Sequence, residues 1–221
     1  MGPAQGLLWS MEPHPDEVVV RTSDTHPLEV AWVDLDTAPG HLGLAMAPGR
    51  QGGSHFSAHT WSRDLHADLR RLRHVHRCDV LVTLVPPDEL VQIGLAEVGD
   101  AVEVHDIGHR HLPIRDGGVP VPEQDVDVLH LIDDLRDGVL VGRRVVLHCR
   151  AGFGRSGLLA SLVVASLWEL PAAAITRVRA AQPRAFDTVP QENYVHDTAF
   201  RGYRHYAERG KEKACDPFCA A

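Results

Sequence analysis

Short apolar runs alternate along the chain with longer stretches in which apolar residues recur at helical spacing. Residues 28–33 alternate between apolar and polar positions, which predicts a first strand. Residues 79–85 and 145–147 are mostly apolar runs typical of buried strands. Residues 107–114 predict an edge strand that ends in a loop, whereas residues 39–49 are punctuated by glycine and proline and are not assigned to a strand.

Residues 57–76 predict an amphipathic helix over the sheet, because their leucines recur at helical spacing. Ser57 or Ser62 is available as its N-cap. Further helices are predicted over residues 97–105, 121–140, 158–170, 171–181 and 191–208, with one more starting at residue 86. Strands that alternate with helices imply an α/β fold, in which a mainly parallel central sheet is flanked by helices on both faces.

The length of 221 residues suits one well-packed core and is short for two. We therefore expect a single domain over residues 28–208. Residues 1–27 are rich in proline and are expected to form an extension packed on the domain edge, with one short strand at 18–20. Residues 209–221 would form a C-terminal tail.

The net charge of −8 argues against nucleic acid or an anionic membrane as the main partner. The N-terminus lacks the basic start and apolar core of a signal peptide, and no apolar run reaches transmembrane length. The predicted location is therefore cytoplasmic. In that compartment the four cysteines are interpreted as thiols rather than as a disulfide framework.

The sequence HCRAGFGRSG, residues 148–157, stands between the apolar run at 145–147 and a predicted helix. A loop that joins a strand end to a helix start offers an anion unpaired backbone N–H groups and the positive end of the helix dipole. Its glycines let the backbone curl closely around that anion. The pattern predicts a phosphate-binding catalytic loop, and the predicted phosphate ligands are Arg150, Ala151, Gly152, Phe153, Gly154 and Arg155.

Four residues of this loop have separate predicted roles. Cys149 is the candidate nucleophile, since oriented N–H groups and Arg155 favour its thiolate. The planar fork of Arg155 can bind two phosphoryl oxygens in parallel hydrogen bonds. Ser156 can donate a hydrogen bond to the sulfur and stabilise it as thiolate and as leaving group. We expect His148 to be a buried residue that orders the loop rather than a base.

Displacement of a phosphate ester onto sulfur releases an alkoxide or phenoxide, so the reaction needs an acid on a loop facing Cys149. Asp116 is the candidate, on a loop whose following glycines allow a sharp turn or a movement. Asp-Gly pairs also form ordinary turns, and that alternative stays open. Asp106, Asp125 and Asp127 are less suitable, because each lies in a predicted element or at its start.

The loop sequence resembles the His-Cys-(five residues)-Arg-Ser/Thr signature of the cysteine-dependent protein phosphatases, with every fixed position present. Residues 112–120 resemble the Pro-Ile-X-Asp-Gly-Gly loop of kinase-associated phosphatases, in which the aspartate is the general acid. Residues 191–194 resemble the Gln-(any)-Asn-Tyr segment of the same family, although a polar helix N-terminus is the alternative. By that resemblance Gln191 would help to position the water that hydrolyses the phosphocysteine. The resemblance covers about residues 42–206 and implies the cysteine-phosphatase fold, with no metal or other cofactor.

Two side chains differ from those expected at variable positions of the family's loop. The apolar Phe153 argues against highly phosphorylated inositides, whereas Arg150 keeps acidic substrates open. The prediction is a phosphatase whose partner is a phosphorylated protein, with phosphotyrosine as substrate and phosphoserine and phosphothreonine as further candidates. Asp116 could also serve as the base in the hydrolysis of the phosphocysteine.

Three alternatives stay open. The same chemistry could act on a small phosphate ester, such as an inositol phosphate or a nucleotide, and a basic pocket wall beyond Arg150 would favour this. A thiol-based arsenate reductase or sulfur transferase shares the spacing of cysteine and arginine, and a phosphoprotein-binding module without turnover is disfavoured by the intact catalytic positions.

The 15 histidines do not combine with cysteines or carboxylates at metal-ligand spacing, so no metal site is predicted. Cys215 and Cys219 could be resolving thiols or could stay idle in the tail.

Overall fold

The computed structural model of the chain describes residues 18–36, 38–53, 59–167 and 169–199. The predicted extension is described only from residue 18, and the predicted tail, with Cys215 and Cys219, lies outside the described residues. The strands in chain order are β1 (Val19–Arg21), β2 (Ala31–Val33), β3 (His41–Met46), β4 (Gln51–Gly53), β5 (His59–Ser62), β6 (Val80–Thr83), β7 (Gly108–His111) and β8 (Arg144–Cys149). The helices are α1 (Leu65–His74), α2 (Pro87–Gln92), α3 (Val98–Val104), α4 (Asp125–Leu140), α5 (Gly154–Ser166) and α6 (Pro171–Ala181), with a 3₁₀ turn at Pro122–Gln124 and a helical segment at 189–199.

A five-stranded sheet with the order β2-β3-β8-β6-β7 forms the centre of the fold. All its neighbouring pairs are parallel except β2 and β3, which are antiparallel. The prediction of a mainly parallel α/β sheet is therefore confirmed, with one antiparallel strand at an edge. Parallel strands end at the same edge, so Met46 at the end of β3 lies beside Cys149 at the end of β8.

Helices cover both faces of this sheet, as predicted. Alternate residues of β8 face opposite cores: Val145 and Leu147 pack with α4, α5 and α6, whereas Val146 packs with α1, α2 and α3. The strand that leads to the loop is thus fixed from both sides. None of the helices in the described ranges is long and apolar enough to cross a membrane.

The helix predicted over residues 57–76 is shorter in the structure and begins at Leu65. Residues His59–Ser62 form β5 instead, which pairs with β1 and β4 in a separate three-stranded sheet. Trp61 in the middle of β5 is buried and has the guanidinium of Arg63 near its ring. Strand pairing and this packing override the weak helical pattern before Leu65.

The N-cap of α1 is Asp64, so the prediction of Ser62 as its cap is wrong. The Asp64 carboxylate accepts a hydrogen bond of 2.7 Å from the backbone N–H of Ala67. Ser62 belongs to β5, where its backbone is paired with Gln51. The other predicted cap, Ser57, lies outside the described residues.

The inner strand β3 is absent from the predictions, because the glycines and prolines of residues 39–49 are typical of turns. A Cβ atom at Gly43 would lie 2.3 Å from the side chain of Val30 and 2.8 Å from that of Trp32. Glycine at this position therefore lets the side chains of Val30 and Trp32 pack directly onto the backbone of β3. β3 supplies one wall of the loop that follows β8.

Candidate active site

The predicted phosphate loop lies between Cys149, the last residue of β8, and Gly154, the first residue of α5. Cys149 is 3% exposed. Gly152 has a φ of +82°, and a Cβ atom there would lie 2.6 Å from the carbonyl carbon of Ala45 in β3. Only glycine allows both the left-handed backbone and this close approach, so the loop is pressed against the neighbouring strand.

Two hydrogen-bond donors surround the sulfur of Cys149. The backbone N–H of Gly152 donates to Sγ at 3.2 Å. The hydroxyl of the buried Ser156 lies 3.5 Å from Sγ, within reach to donate. The structure therefore places Ser156 where the sequence predicts it, beside the sulfur, and both donors can stabilise a thiolate.

The guanidinium of Arg155 is 1% exposed and is held by Glu89 in the first turn of α2. Its Nη1 and Nη2 atoms donate to the two Glu89 carboxylate oxygens at 2.6 and 3.0 Å. Burial alone lowers the pKa of Arg155, but the hydrogen bonds and charge of Glu89 raise it above the ordinary value. The Nε donor of Arg155 is buried and has no hydrogen-bond partner among the described residues, which suits it to an anionic ligand.

Asp116 reaches the same guanidinium from the opposite loop. Its Oδ1 accepts a hydrogen bond of 2.9 Å from Nη2 of Arg155, and its side chain is 69% exposed. The carbonyl of Ile114, at the base of the same loop, also accepts from Arg155 at 3.1 Å. The structure thus brings Cys149, Arg155 and Asp116 to one site, whereas Asp125 lies at the start of α4.

Residues near the C-terminus tie the Asp116 loop in place. The hydroxyl of Thr188 donates to the carbonyl of Gly117 at 3.0 Å, and Nε2 of Gln191 donates to the carbonyl of Gly118 at 3.1 Å. Oε1 of Gln191 accepts from the backbone N–H of Asp187 at 2.9 Å. Gln191 is completely buried, with both ends of its amide engaged. Its predicted role with water stays a prediction, and its contacts in this structure hold the acid loop.

His148 lies behind the loop in a chain of hydrogen bonds. Its Nε2 is 2.8 Å from Oγ1 of Thr83, which is also 2.8 Å from Nε2 of His109. Burial lowers the pKa of His148 to about 3, so the ring is neutral near pH 7. His148 is buried as predicted, and its role in ordering the loop stays a prediction. Among the described residues, no group of three or more histidine, cysteine, aspartate or glutamate side chains could hold a metal ion.

Arg50 brings a second buried guanidinium to the site and is absent from the predictions. It is 4% exposed, and its Nη1 donates to the carbonyl of Arg150 at 3.4 Å. Burial and the nearby charge of Arg150 lower the pKa of Arg50, while the negative charges of Cys149 and Glu89 act against this. No local pattern identifies Arg50, because its contact with the loop spans 100 positions of sequence.

The rim of the loop carries further positive charge. The guanidinium of Arg150 donates to the carbonyl of Gly53 at 3.4 Å on one side. The guanidinium of Arg184 lies 4.2 Å from the ring centre of Phe153 on the other. A positive charge therefore lies beside the apolar ring of Phe153. The sequence does not indicate this contact, because Arg184 and Phe153 are far apart in the chain.

Comparisons with known proteins agree with this geometry. The family profile described as a polymorphic toxin system DSP-PTPase phosphatase (Tc-R-P) matches residues 60–167. The cyclin-dependent kinase inhibitor 3 of Sus scrofa is 25% identical over 214 residues, which are 95% of this chain and 96% of that protein. Residues 60–167 are thus similar to a DSP-PTPase phosphatase, and nearly the whole chain is similar to a cyclin-dependent kinase inhibitor 3.

Solved structures of phosphatases share the fold of this chain. A kinase-associated phosphatase, with its catalytic-site cysteine substituted by serine, has a TM-score of 0.69 at 23% identity, covering 80% of this chain and 97% of that one. Tk-PTP in its active form has a TM-score of 0.54 at 25% identity, covering 76% of this chain and 99% of that one. The predicted resemblance to kinase-associated phosphatases is confirmed, and residues 60–167 match the profile of a DSP-PTPase phosphatase.

Proposed function

We propose that this phosphatase hydrolyses phosphotyrosine in proteins, with phosphoserine and phosphothreonine as further substrates, through a phosphocysteine on Cys149. The observation that carries the proposal is the guanidinium of Arg155, which binds both Glu89 and Asp116. It lies in the first turn of α5, directly after the loop of Cys149, and binds Asp116 at 2.9 Å, so a nucleophile, an anion site and an acid meet at one point. The similarity to a DSP-PTPase phosphatase and to a phosphatase with a catalytic-site cysteine supports cysteine-based phosphatase chemistry.

In the first step, the thiolate of Cys149 attacks phosphorus and the bond from phosphorus to the ester oxygen breaks. The free Nε of Arg155 and the backbone N–H groups of the loop bind the phosphoryl oxygens as charge moves onto the leaving group. Asp116 donates a proton to the leaving oxygen, which departs as an alcohol or phenol. Glu89 keeps Arg155 charged and oriented during this step.

In the second step, water attacks phosphorus and the bond from phosphorus to sulfur breaks. The electron pair of that bond returns to Cys149, where Ser156 and the N–H of Gly152 stabilise the leaving thiolate. Asp116, now a carboxylate, takes one proton from the water. Inorganic phosphate is the second product.

A phosphoprotein is the substrate class that the relatives support, since the names of two of them refer to kinases. A second candidate is a small phosphate ester with a further anionic group. The two guanidinium groups of Arg50 and Arg150 beside the loop favour it, because they could bind that second group. Phosphopeptides and inositol phosphates assayed in parallel would separate the two candidates by their kcat/KM values.

The test is hydrolysis of para-nitrophenyl phosphate in the presence of EDTA, across pH, by wild type and Cys149→Ser. Cys78→Ser is a matched control, because burial raises the pKa of the Cys78 thiol to about 12 and this cysteine packs in the other core. We expect activity in wild type and the control, loss of activity in Cys149→Ser, and inhibition by vanadate. Activity that survives in Cys149→Ser would overturn the proposal.

A further inference from the structure

Asp187 lies against the phosphate loop, although its place in the sequence indicates no part in the chemistry. A Cβ atom at Gly154 would lie 1.7 Å from Oδ2 and 2.5 Å from Cγ of Asp187. The carboxyl group therefore sits directly on the first residue of α5, one of the predicted phosphate ligands. Asp187 is also exposed to solvent, so water and substrate can reach it.

The surroundings of Asp187 fix it in this position. Its backbone N–H donates to Oε1 of the buried Gln191 at 2.9 Å. The preceding residue, Phe186, has a φ of +72°, a left-handed conformation that is costly for a bulky side chain and often marks functional sites. Thr188, the next residue, binds the carbonyl of Gly117 in the acid loop. The segment and the acid loop are thus held as one unit.

Asp187 and Asp116 form a pair of carboxyl groups at one site. Burial raises the pKa of Asp187, and the negative charge of Asp116 raises it further, while Arg155, Arg184 and the backbone N–H of Gly154 lower it. Asp187 makes no ion pair of 4 Å or less with any described residue, unlike Asp116, which binds Arg155. Its carboxylate already accepts a hydrogen bond from the backbone N–H of Gly154, and its remaining lone pairs can accept one from a ligand.

A cap of the segment at 189–199 does not explain the position of the Asp187 carboxylate, which accepts a hydrogen bond from the backbone N–H of Gly154 at the start of α5. A carboxylate that only capped the segment at 189–199 would face the N–H groups of that segment, whereas Oδ2 lies over Gly154 of α5. Gln191 cannot take the place of Asp187 at the loop without breaking bonds, because its amide is already engaged with Asp187 and Gly118.

We infer that Asp187 is a second catalytic carboxyl of this phosphatase, which accepts a hydrogen bond from the water that attacks the phosphocysteine on Cys149. The inference rests on the proposed function. In the hydrolysis, the water oxygen bonds to phosphorus, the bond from phosphorus to sulfur breaks, and its electron pair returns to Cys149. One water proton passes to the Asp116 carboxylate, inorganic phosphate leaves, and Asp187 orients the water without changing its own charge.

The experiment is stopped-flow and steady-state hydrolysis of para-nitrophenyl phosphate by wild type, Asp187→Ala and Asp187→Asn. We expect Asp187→Ala to release about one equivalent of nitrophenol per Cys149 in a burst, and then to turn over on the order of 10²-fold more slowly because the water is misplaced. Phosphoenzyme should accumulate and be trapped by acid quench, while kcat/KM, which reports the first step, stays close to that of wild type. Asn keeps an oxygen acceptor, so Asp187→Asn should recover part of kcat.

Asp197→Ala is the matched control, because Asp197 is an exposed aspartate in the segment at 189–199. It should keep the wild-type kcat and show no additional burst. Parallel loss of kcat and kcat/KM in Asp187→Ala without phosphoenzyme, or an unchanged kcat, would overturn the inference and leave the proposed function intact. Absence of any hydrolysis by folded, reduced wild type would overturn both.

Discussion

Nη2 of Arg155 lies 2.9 Å from Oδ1 of Asp116, so the group that is suited to bind phosphate also holds the proposed acid. The same nitrogen donates to Oε1 of Glu89 at 3.0 Å. A phosphoryl group that enters the loop would compete with Asp116 for this guanidinium, whereas Glu89 remains behind it. Substrate binding would therefore release Asp116 toward the leaving oxygen and leave Arg155 oriented.

Removal of Asp116 should slow the reaction in proportion to the difficulty of the leaving group. For Asp116→Ala, we expect kcat on alkyl phosphates to fall by about 10²- to 10³-fold, since a general acid contributes this much when the leaving oxygen needs a proton. Activated aryl phosphates should be affected far less. The measurement is kcat for a series of esters that differ in the pKa of the released alcohol.

Asp127→Ala is the control for that series, because Asp127 lies in the first turn of α4. It should follow the wild-type dependence on the leaving group. An Asp116→Ala enzyme that hydrolyses alkyl phosphates at the normal rate would exclude Asp116 from the first step.

Glu89→Gln should damage both stability and phosphate binding. The change leaves Arg155, which is 1% exposed, without its buried carboxylate partner and with only the exposed Asp116, and breaking a buried ion pair costs about 3 kcal/mol or more. We expect a lower free energy of unfolding in urea and a higher KM. The neighbouring Asp88→Asn should change stability by less than about 0.5 kcal/mol, because its pair with Arg115 is 63% exposed on the Asp88 side. Equal effects of the two substitutions would contradict this account of Glu89.

Local features of the sequence predict much of this molecule. α6 has the predicted bounds, since a proline at its first residue and its apolar spacing lie within the helix itself. Cys149, Arg155 and Ser156 belong to one continuous stretch of sequence, and their spacing predicts their roles. Asp116 reaches the same site from a loop whose glycines mark it.

The residues that sequence analysis misses depend on contacts between distant segments. Glu89 is typical of the first turn of a helix, and its bond to Arg155 joins residues 66 positions apart. Arg50 meets the loop through the backbone of Arg150. Gly43 makes β3 resemble a turn in the sequence. The reason for a glycine there is the close packing of the Trp32 side chain, which only the structure shows. Such pairings leave no periodic signal in a single chain.

Gln191→Ala should loosen the acid loop. It leaves the carbonyl of Gly118 and the backbone N–H of Asp187 without their partner, which costs about 1–3 kcal/mol if both stay buried. We expect lower stability in urea and a larger loss of kcat on poor leaving groups than on activated ones. The exposed Asn193→Ala should leave both quantities unchanged. A Gln191→Ala enzyme with normal leaving-group dependence would show that this contact does not position Asp116.

Acid should destabilise the folded protein partly through His148. Burial lowers its pKa from 6.5 to about 3, so the unfolded chain binds a proton in this range that the folded chain does not. The stabilising contribution is complete above pH 6.5 and is lost as the pH falls toward 3, at up to about 1.4 kcal/mol per pH unit. Urea unfolding at pH 7, 5.5 and 4 should show a shallower pH dependence for His148→Gln than for wild type. The exposed His74→Gln is the control and should keep the wild-type slope; an unchanged slope in His148→Gln would refute the assignment.

The contact of Gly152 with Ala45 determines when the phosphate loop becomes ordered. Because a Cβ atom at Gly152 would lie 2.6 Å from the carbonyl carbon of Ala45, the loop rests on the backbone of a central strand, which cannot shift without disturbing the sheet. The conformational entropy of the loop is therefore lost when the chain folds rather than when the substrate arrives. Affinity for phosphate should then track the integrity of β3, and substitutions in that strand could weaken binding without touching a single ligand of the anion.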